Sequence, residues 1–333
     1  MSRYVRVVAA TALAALLAAC SDQPRPQASA PNPAASAQPP GAGARSNPAP
    51  SGPARSGQPA APAPPGGAPA PGRPAQLPLG GTKLFPAYRV VAYYGTAGTS
   101  VLGVLGEGTP DRMLPKLRAA ARGFAGDRKV QVAYELIATV AQAKPGSDGD
   151  YSQMIEEAKI QRYVDQARRN KVLVILDLQP GRGSFLPQAR RLERFLVQPH
   201  VGLALDPEWR MPPGKVPGRT IGRVSAAEVN SVSEYVSGLV ARHRLPEKLF
   251  VLHQFRSSMI PDVGKVQKRP GLAMVQHIDG FGTRSEKDAT WKRLRRPRQF
   301  HMGYKLFYDE DIKRYRARDV LKFKPVPDLV SFQ

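Results

Sequence analysis

Short apolar runs recur along the chain from residue 89 onward, and stretches with the spacing of amphipathic helices separate them. The runs are rich in Val, Ile, Leu and aromatic residues, which is typical of β-strands. They predict eight strands, at 89–95, 130–138, 172–178, 201–206, 249–255, 272–278, 300–308 and 329–333. The intervening stretches predict helices near 110–123, 152–169, 187–197, 225–242 and 284–296, and a further helix within 309–320. Strands and helices are therefore predicted to alternate along this part of the chain.

Most of these strands are continuously hydrophobic, which favours a parallel sheet covered on both faces. Eight such strands with helices between them, over 82–333, have the size and rhythm of an α/β fold of the (β/α)8 TIM-barrel type. An open, doubly wound sheet is the alternative. That fold would carry a glycine-rich phosphate turn after its first strand, and the segment 95–99, GTAGT, does not match G-x-G-x-x-G. We therefore predict a single barrel domain over 82–333.

The N-terminus has the features of an export signal. Arg3 and Arg6 precede the run VVAATALAALLAA, which is too short for a membrane span. The run ends in Leu-Ala-Ala-Cys20, which resembles a bacterial lipobox. That resemblance implies a signal peptide over 1–19, lipidation of Cys20 and anchoring to the outer face of the cell membrane. An ordinary secretory signal and a poor transmembrane helix remain alternatives.

Composition changes sharply after this signal. Residues 20–81 are dominated by Pro, Ala, Gly and Ser, with few side chains to bury, so this segment is predicted to be a disordered linker. Cys20 is the only cysteine, which excludes an intramolecular disulfide and a cysteine nucleophile or metal ligand in the barrel.

The chain is strongly basic, with a formal net charge of +23. Six arginines and one aspartate precede residue 82, so most of this charge belongs to the predicted barrel. Such a charge suits anionic surroundings, for example acidic envelope polymers or lipid headgroups. No nucleic-acid-binding motif accompanies the basic cluster at 292–298, which is typical of a solvated helix face. Nucleic acid is therefore not an expected partner.

Chemistry in a barrel collects at the carboxyl ends of the strands. There the sequence supplies acids, amides and aromatic rings, which suit a sugar site because polar groups bind hydroxyls and rings stack on sugar faces. Any one of them is equally compatible with a polar strand end that caps the next loop. The predicted substrate-binding residues are Tyr94, Glu135, Gln179, Trp209, Gln254, Gln276, Tyr304 and Gln333.

The segment 201–209, VGLALDPEW, ends an apolar strand in two acids. If the alternation of the strand continued, Asp206 and Glu208 would share one face, roughly 6.5–7 Å apart. This Asp-x-Glu resembles the Asp-Gly-Leu-Asp-Ile-Asp-x-Glu strand of family 18 glycoside hydrolases and the Asp-x-Glu of family 25 muramidases. The resemblance implies that Glu208 protonates the glycosidic oxygen and that Asp206 tunes it and handles the developing positive charge.

Cleavage of a glycoside requires one protonated and one ionised carboxyl group, and Asp177 or Asp279 is the expected second partner of the pair. The sequence therefore predicts a monomeric, membrane-anchored, extracytoplasmic glycoside hydrolase that acts on a polysaccharide and needs no cofactor. The five histidines lack H-x-x-H spacing, so no metal is expected. Two alternatives remain open: a barrel that binds glycan without cutting it, and a barrel phosphodiesterase whose metal ligands include His277 and Asp279.

Overall fold

The computed structural model describes residues 74–333. The predicted signal peptide, the lipidation site Cys20 and the linker up to residue 73 lie outside this part of the chain. The strands are β1 (Tyr88–Gly95), β2 (Lys129–Ala141), β3 (Ser152–Met154), β4 (Leu173–Leu178), β5 (Val201–Leu205), β6 (Lys248–Gln254), β7 (Leu272–Ile278), β8 (His301–Leu306) and β9 (Leu329–Phe332). The helices are α1 (Pro110–Arg122), α2 (Glu157–Asn170), α3 (Phe185–Arg191), α4 (Glu193–Leu196), α5 (Ala226–Arg242), α6 (Arg284–Leu294) and α7 (Ala317–Val320).

Eight of the strands form one closed parallel barrel. Around it the order is β1, β9, β8, β7, β6, β5, β4 and β2, and pairing of β2 with β1 closes the ring. The helices lie between successive strands, so the predicted (β/α)8 TIM barrel is confirmed. The remaining strand, β3, lies outside the barrel and pairs in antiparallel fashion with the end of β2.

Three of the predicted helices differ in the structure. The one at 152–169 begins only at Glu157, because 152–154 pairs with the long β2 as strand β3. The one at 187–197 is divided at Leu192 into α3 and α4. Within 309–320 only α7 is helical, because the Asp311 carboxylate accepts hydrogen bonds from the backbone N–H groups of Phe307 and Gly282. That side chain holds the segment in a turn.

Alternate residues of each barrel strand point into the barrel or out towards the helices. The inward residues include leucines near the amino ends of their strands, such as Leu173 and Leu249, and smaller residues further along, such as Ala204 and Val275. The outward residues form a larger apolar layer with the helices. Residues at the upper end of each strand that continue the inward series therefore meet at the carboxyl-end mouth of the barrel.

The opposite end of the barrel is closed by the segment that enters β1. Leu77, Leu84 and Phe85 are buried among the inward residues of the strands. The backbone N–H of Ala75 donates to the carbonyl of Arg244, and the Tyr88 hydroxyl donates to the carbonyls of Leu79 and Gly80. Residues 75–81, the last part of the predicted linker, thus lie against the amino-end pole of the barrel.

Among the described helices, none combines the length and apolar character that a membrane crossing needs.

Candidate functional site

A cavity of about 280 Å³ opens at the carboxyl ends of the barrel strands. It brings together seven of the predicted site residues: Tyr94, Gln179, Asp206, Glu208, Trp209, Asp279 and Gln333. A larger surface groove of about 440 Å³ lies beside Arg210 and Glu228, but these two side chains form a salt bridge with each other. The cavity at the barrel mouth is therefore the candidate functional site.

Asp206 and Glu208 reach this cavity through a turn. Strand β5 ends at Leu205, and Pro207–Trp209 forms one turn of 3-10 helix. The Asp206 carboxylate caps that turn by accepting a hydrogen bond from the Glu208 backbone N–H at 3.1 Å. The expected strand-like alternation of the two acids is therefore wrong, although both still line one cavity.

The surroundings of both acids favour their protonated forms. Burial raises the pKa of Glu208 to about 7, and the negative charge of Asp279 adds to that effect. Burial also raises the pKa of Asp206 well above its usual range, opposed by the charge of His253. Near neutral pH, Glu208 can therefore supply a proton.

Asp279 has the opposite protonation behaviour. Its Oδ2 accepts a hydrogen bond from His253 Nδ1 at 2.8 Å, while its Oδ1 has no partner among residues 74–333. Burial favours the protonated acid, but the hydrogen bond and charge of His253 outweigh it and lower the pKa of Asp279. Asp279 is therefore an ionised carboxylate with a free acceptor oxygen.

His253 is the charged centre beneath the cavity floor. Its Nε2 lies 3.0 Å from Glu135 Oε1, so carboxylates contact both ring nitrogens. Burial alone would lower the pKa of His253, but these two hydrogen bonds raise it well above its usual value. The same contact lowers the pKa of Glu135 in spite of burial. Glu135 was predicted to bind substrate, but it is fully buried and acts on the cavity through His253.

Asp177, a predicted catalytic residue, also lies below the floor. Its Oδ2 accepts a hydrogen bond from the Tyr94 hydroxyl at 2.9 Å, and Gln179 Nε2 donates to the same hydroxyl at 3.3 Å. Burial raises the pKa of Asp177 to about 6, and the charge of Glu135 contributes. Asp177 therefore positions the Tyr94 ring in the cavity wall.

Aromatic rings form much of the cavity wall. Besides Tyr94 and Trp209, the cavity is lined by Phe255, Phe281 and Phe307. Phe281 and Phe307 pack edge to face, with ring centroids 5.6 Å apart. Flat apolar faces beside carboxyl groups suit a ligand with both apolar faces and hydroxyl groups, as a sugar has.

Three predicted substrate-binding residues lie away from the cavity. Gln276 Nε2 donates to Gln254 Oε1 at 2.7 Å and to the Leu294 carbonyl at 3.0 Å, so the two amides connect β6 and β7 to the end of α6. Tyr304 packs between Trp291 and Phe323. Gln254, Gln276 and Tyr304 occupy outward positions of their strands and do not line the cavity.

Several residues of the site were given no role from the sequence. His253 and Lys305 stand one position from Gln254 and Tyr304, on the inward face of the same strands. Arg256 and Arg293 line the cavity from the loop after β6 and from α6. His253 and Lys305 could have been found from the alternation of inward and outward residues along their strands. No pattern in the sequence indicated Arg256 or Arg293.

One group among residues 74–333 has the donor set for a metal ion. Ligand atoms of Glu135, His253 and His277 lie within 4.8 Å of one another. However, both ring nitrogens of His253 are already hydrogen-bonded to carboxylates, and His277 Nε2 is hydrogen-bonded to Ser331 Oγ at 3.1 Å. In this arrangement a protonated His253 supplies the positive charge that a metal ion would otherwise bring.

No protein-family model matches the chain, and no curated protein is significantly similar to it.

Proposed function

We propose that the protein is a glycoside hydrolase that cleaves a polysaccharide at the mouth of the barrel. One observation carries the proposal: the cavity holds two carboxyl groups whose surroundings move their pKa values in opposite directions. The pKa of Glu208 is raised to about 7, and the pKa of Asp279 is lowered. Paired carboxyl groups of opposite protonation state are what glycosidic cleavage requires.

In this proposal Glu208 donates its proton to the leaving oxygen. Asp279 acts from its own position on the cavity wall, as nucleophile or as the base that activates water. Asp206 positions Glu208 by holding its backbone N–H. The role that the family resemblance gave to Asp206 is thereby divided between Asp206 and Asp279.

The aromatic wall supports a sugar as the substrate. Trp209 and the phenylalanines offer faces for stacking, and Tyr94, Gln179 and Gln333 offer polar groups for hydroxyls. The basic surface and the predicted lipid anchor support a polymer of the cell envelope or its surroundings.

The test is release of reducing ends from a panel of envelope, plant and fungal polysaccharides. Glu208→Gln keeps the shape of the side chain but removes its proton, so turnover should fall by about 10²–10⁴. Asp279→Asn should lower turnover at least as much, because the negative charge that attacks the sugar or activates the water is lost. Asp309→Asn, an exposed acid beyond the end of β8, is the control and should behave as the parent.

The same experiment separates the alternatives. A glycan-binding barrel without activity would bind polymer but release no reducing ends in any variant. A metal-dependent phosphodiesterase would lose its activity when a chelator is added. Its products would be phosphate esters rather than reducing sugars. Equal sugar release by the parent and Glu208→Gln would remove Glu208 from the mechanism.

A further inference from the structure

Three cationic side chains line the cavity without an acidic partner. They are Lys305 on β8, Arg256 after β6 and Arg293 on α6, and none forms a salt bridge within residues 74–333. Arg210 and Arg128, which are also partly buried, instead pair with Glu228 and Asp328. Arg293 is exposed and Arg256 is half-buried, so Lys305 is the most deeply buried of the three.

Lys305 is the most unusual of the three because it is almost completely buried, with 3% of its surface exposed. Its Nζ lies 3.4 Å from the centroid of the Tyr94 ring, and it has no hydrogen-bond acceptor among the described residues. Lys287 gives the contrast: it is equally buried, but its Nζ donates to two carbonyls and contacts Asp311 Oδ1 at 3.0 Å. Lys305 lines the cavity, so the three donors of its ammonium group are open to a ligand there.

No acid forms a salt bridge with Lys305 within residues 74–333. Asp279 is held by His253 and Asp206 by the backbone of Glu208, while Glu208 and Glu310 also line the cavity. Burial raises the pKa values of Asp206, Glu208 and Glu310, which favours their neutral forms and reduces their repulsion of an anion. A negatively charged ligand can therefore reach Lys305 past these three acids.

We infer that the cavity binds a glycan whose sugar units carry a carboxylate, and that Lys305 Nζ recognises this carboxylate. Arg256 and Arg293 attract the anionic polymer at the mouth. The inference rests on the proposed function, since it names the substrate class of the same site. The formal charge of +23 on the chain favours capture of such a polymer from solution.

The first experiment measures binding in the Glu208→Gln background, so that hydrolysis plays no part. Calorimetry compares oligogalacturonides and alginate oligosaccharides with the same oligosaccharides after chemical reduction of their carboxylates to alcohols. The carboxylated form of at least one pair should bind about tenfold more tightly, as expected for a hydrogen-bonded charge pair. If no carboxylated form binds more tightly than its reduced partner, the inference is wrong, whatever the outcome for hydrolysis.

The second experiment assigns the effect to Lys305. Lys305→Met fills similar space without charge and should lower affinity for the carboxylated sugar about tenfold while leaving the reduced sugar unaffected. Lys305→Arg should restore part of the loss. Lys292→Gln, an exposed neighbour of Arg293 that does not line the cavity, is the matched control and should leave both affinities unchanged. Equal weakening of both sugars by Lys305→Met would overturn the role of Lys305.

Discussion

At the scale of single residues, the two carboxyl groups of the proposed mechanism owe their protonation states to different neighbours. Glu208 is protonated near neutral pH mainly because it is buried beside the charge of Asp279. Asp279 is ionised because His253 donates to it, and His253 is held charged by Glu135 below. The polar chain from Glu135 to Asp279 therefore sets the difference between the two acids.

This difference predicts a bell-shaped dependence of turnover on pH. The proton of Glu208 is present below its pKa and lost above it, so turnover should fall as pH rises through about 7. Asp279 must be ionised, and its pKa is lowered, so the acid limb should lie below the usual range of an aspartate. The measurement is kcat/KM across pH, which reports the pKa values of the free protein, with folding checked by circular dichroism. A profile that rises through pH 7 would contradict Glu208 as the acid.

The position of a residue within its strand decided which site predictions held. Asp206 was placed correctly because it continues the small inward residues Gly202 and Ala204. The same reasoning applied to β6 and β8 points to His253 and Lys305 instead of Gln254 and Tyr304. The sequence therefore indicated which polar residues lie at a strand end. Choosing between an inward residue and its outward neighbour required the alternation of the whole strand.

At the scale of elements, β8 shows how a strand makes room for the polar network. Gly303 faces into the barrel, and a Cβ placed there would lie 2.8 Å from the Cδ2 atom of His277. His277 Nδ1 in turn lies 3.9 Å from Glu135 Oε1, and its ring packs beside the ring of His253. A glycine at this position of β8 therefore permits the histidine below the cavity floor.

Gly303→Ala should consequently disturb both stability and the site. Crowding of a packed core costs about 1–3 kcal/mol, and displacement of His277 should lower turnover as well. Gly264→Ala is the matched control, because nothing lies within 4 Å of its added Cβ. Urea unfolding and the polysaccharide assay measure the two effects. Wild-type stability of Gly303→Ala would show that the barrel interior adjusts at no cost.

The strands were predicted closely because continuous apolar runs mark buried strands wherever they occur. The helical prediction over 309–320 failed because a single side chain, Asp311, takes up the N–H groups of Phe307 and Gly282. The contact with Gly282 joins residues that are 29 positions apart, so local spacing and composition contain no sign of it.

At the scale of the whole molecule, the barrel is closed at one pole by apolar side chains and open at the other. Leu77 contributes to this closure although it precedes the predicted start of the domain. A protein that begins at residue 82 should therefore be less stable than one that begins at residue 74, by about 2 kcal/mol or more for a lost buried leucine. Urea unfolding of both proteins tests this, and equal midpoints would show that the contacts of 75–81 add nothing.

The predicted lipid anchor can be tested on the full chain. Cys20→Ala should abolish acylation, detected by mass spectrometry, and release the protein from the membrane fraction. Because the chain is strongly basic, the fractions are washed with high salt to remove protein held only by anionic headgroups. A variant that stays bound after the wash would indicate that the apolar run at the N-terminus is an uncleaved anchor.

The entry of the chain beneath the barrel has a consequence for access to the cavity. Residues 75–81 approach the strands from the pole opposite the cavity. The segment that precedes β1 therefore joins the barrel at its closed pole and leaves the mouth of the cavity uncovered by residues 75–81. A long polymer can thus enter the mouth without displacing this part of the chain.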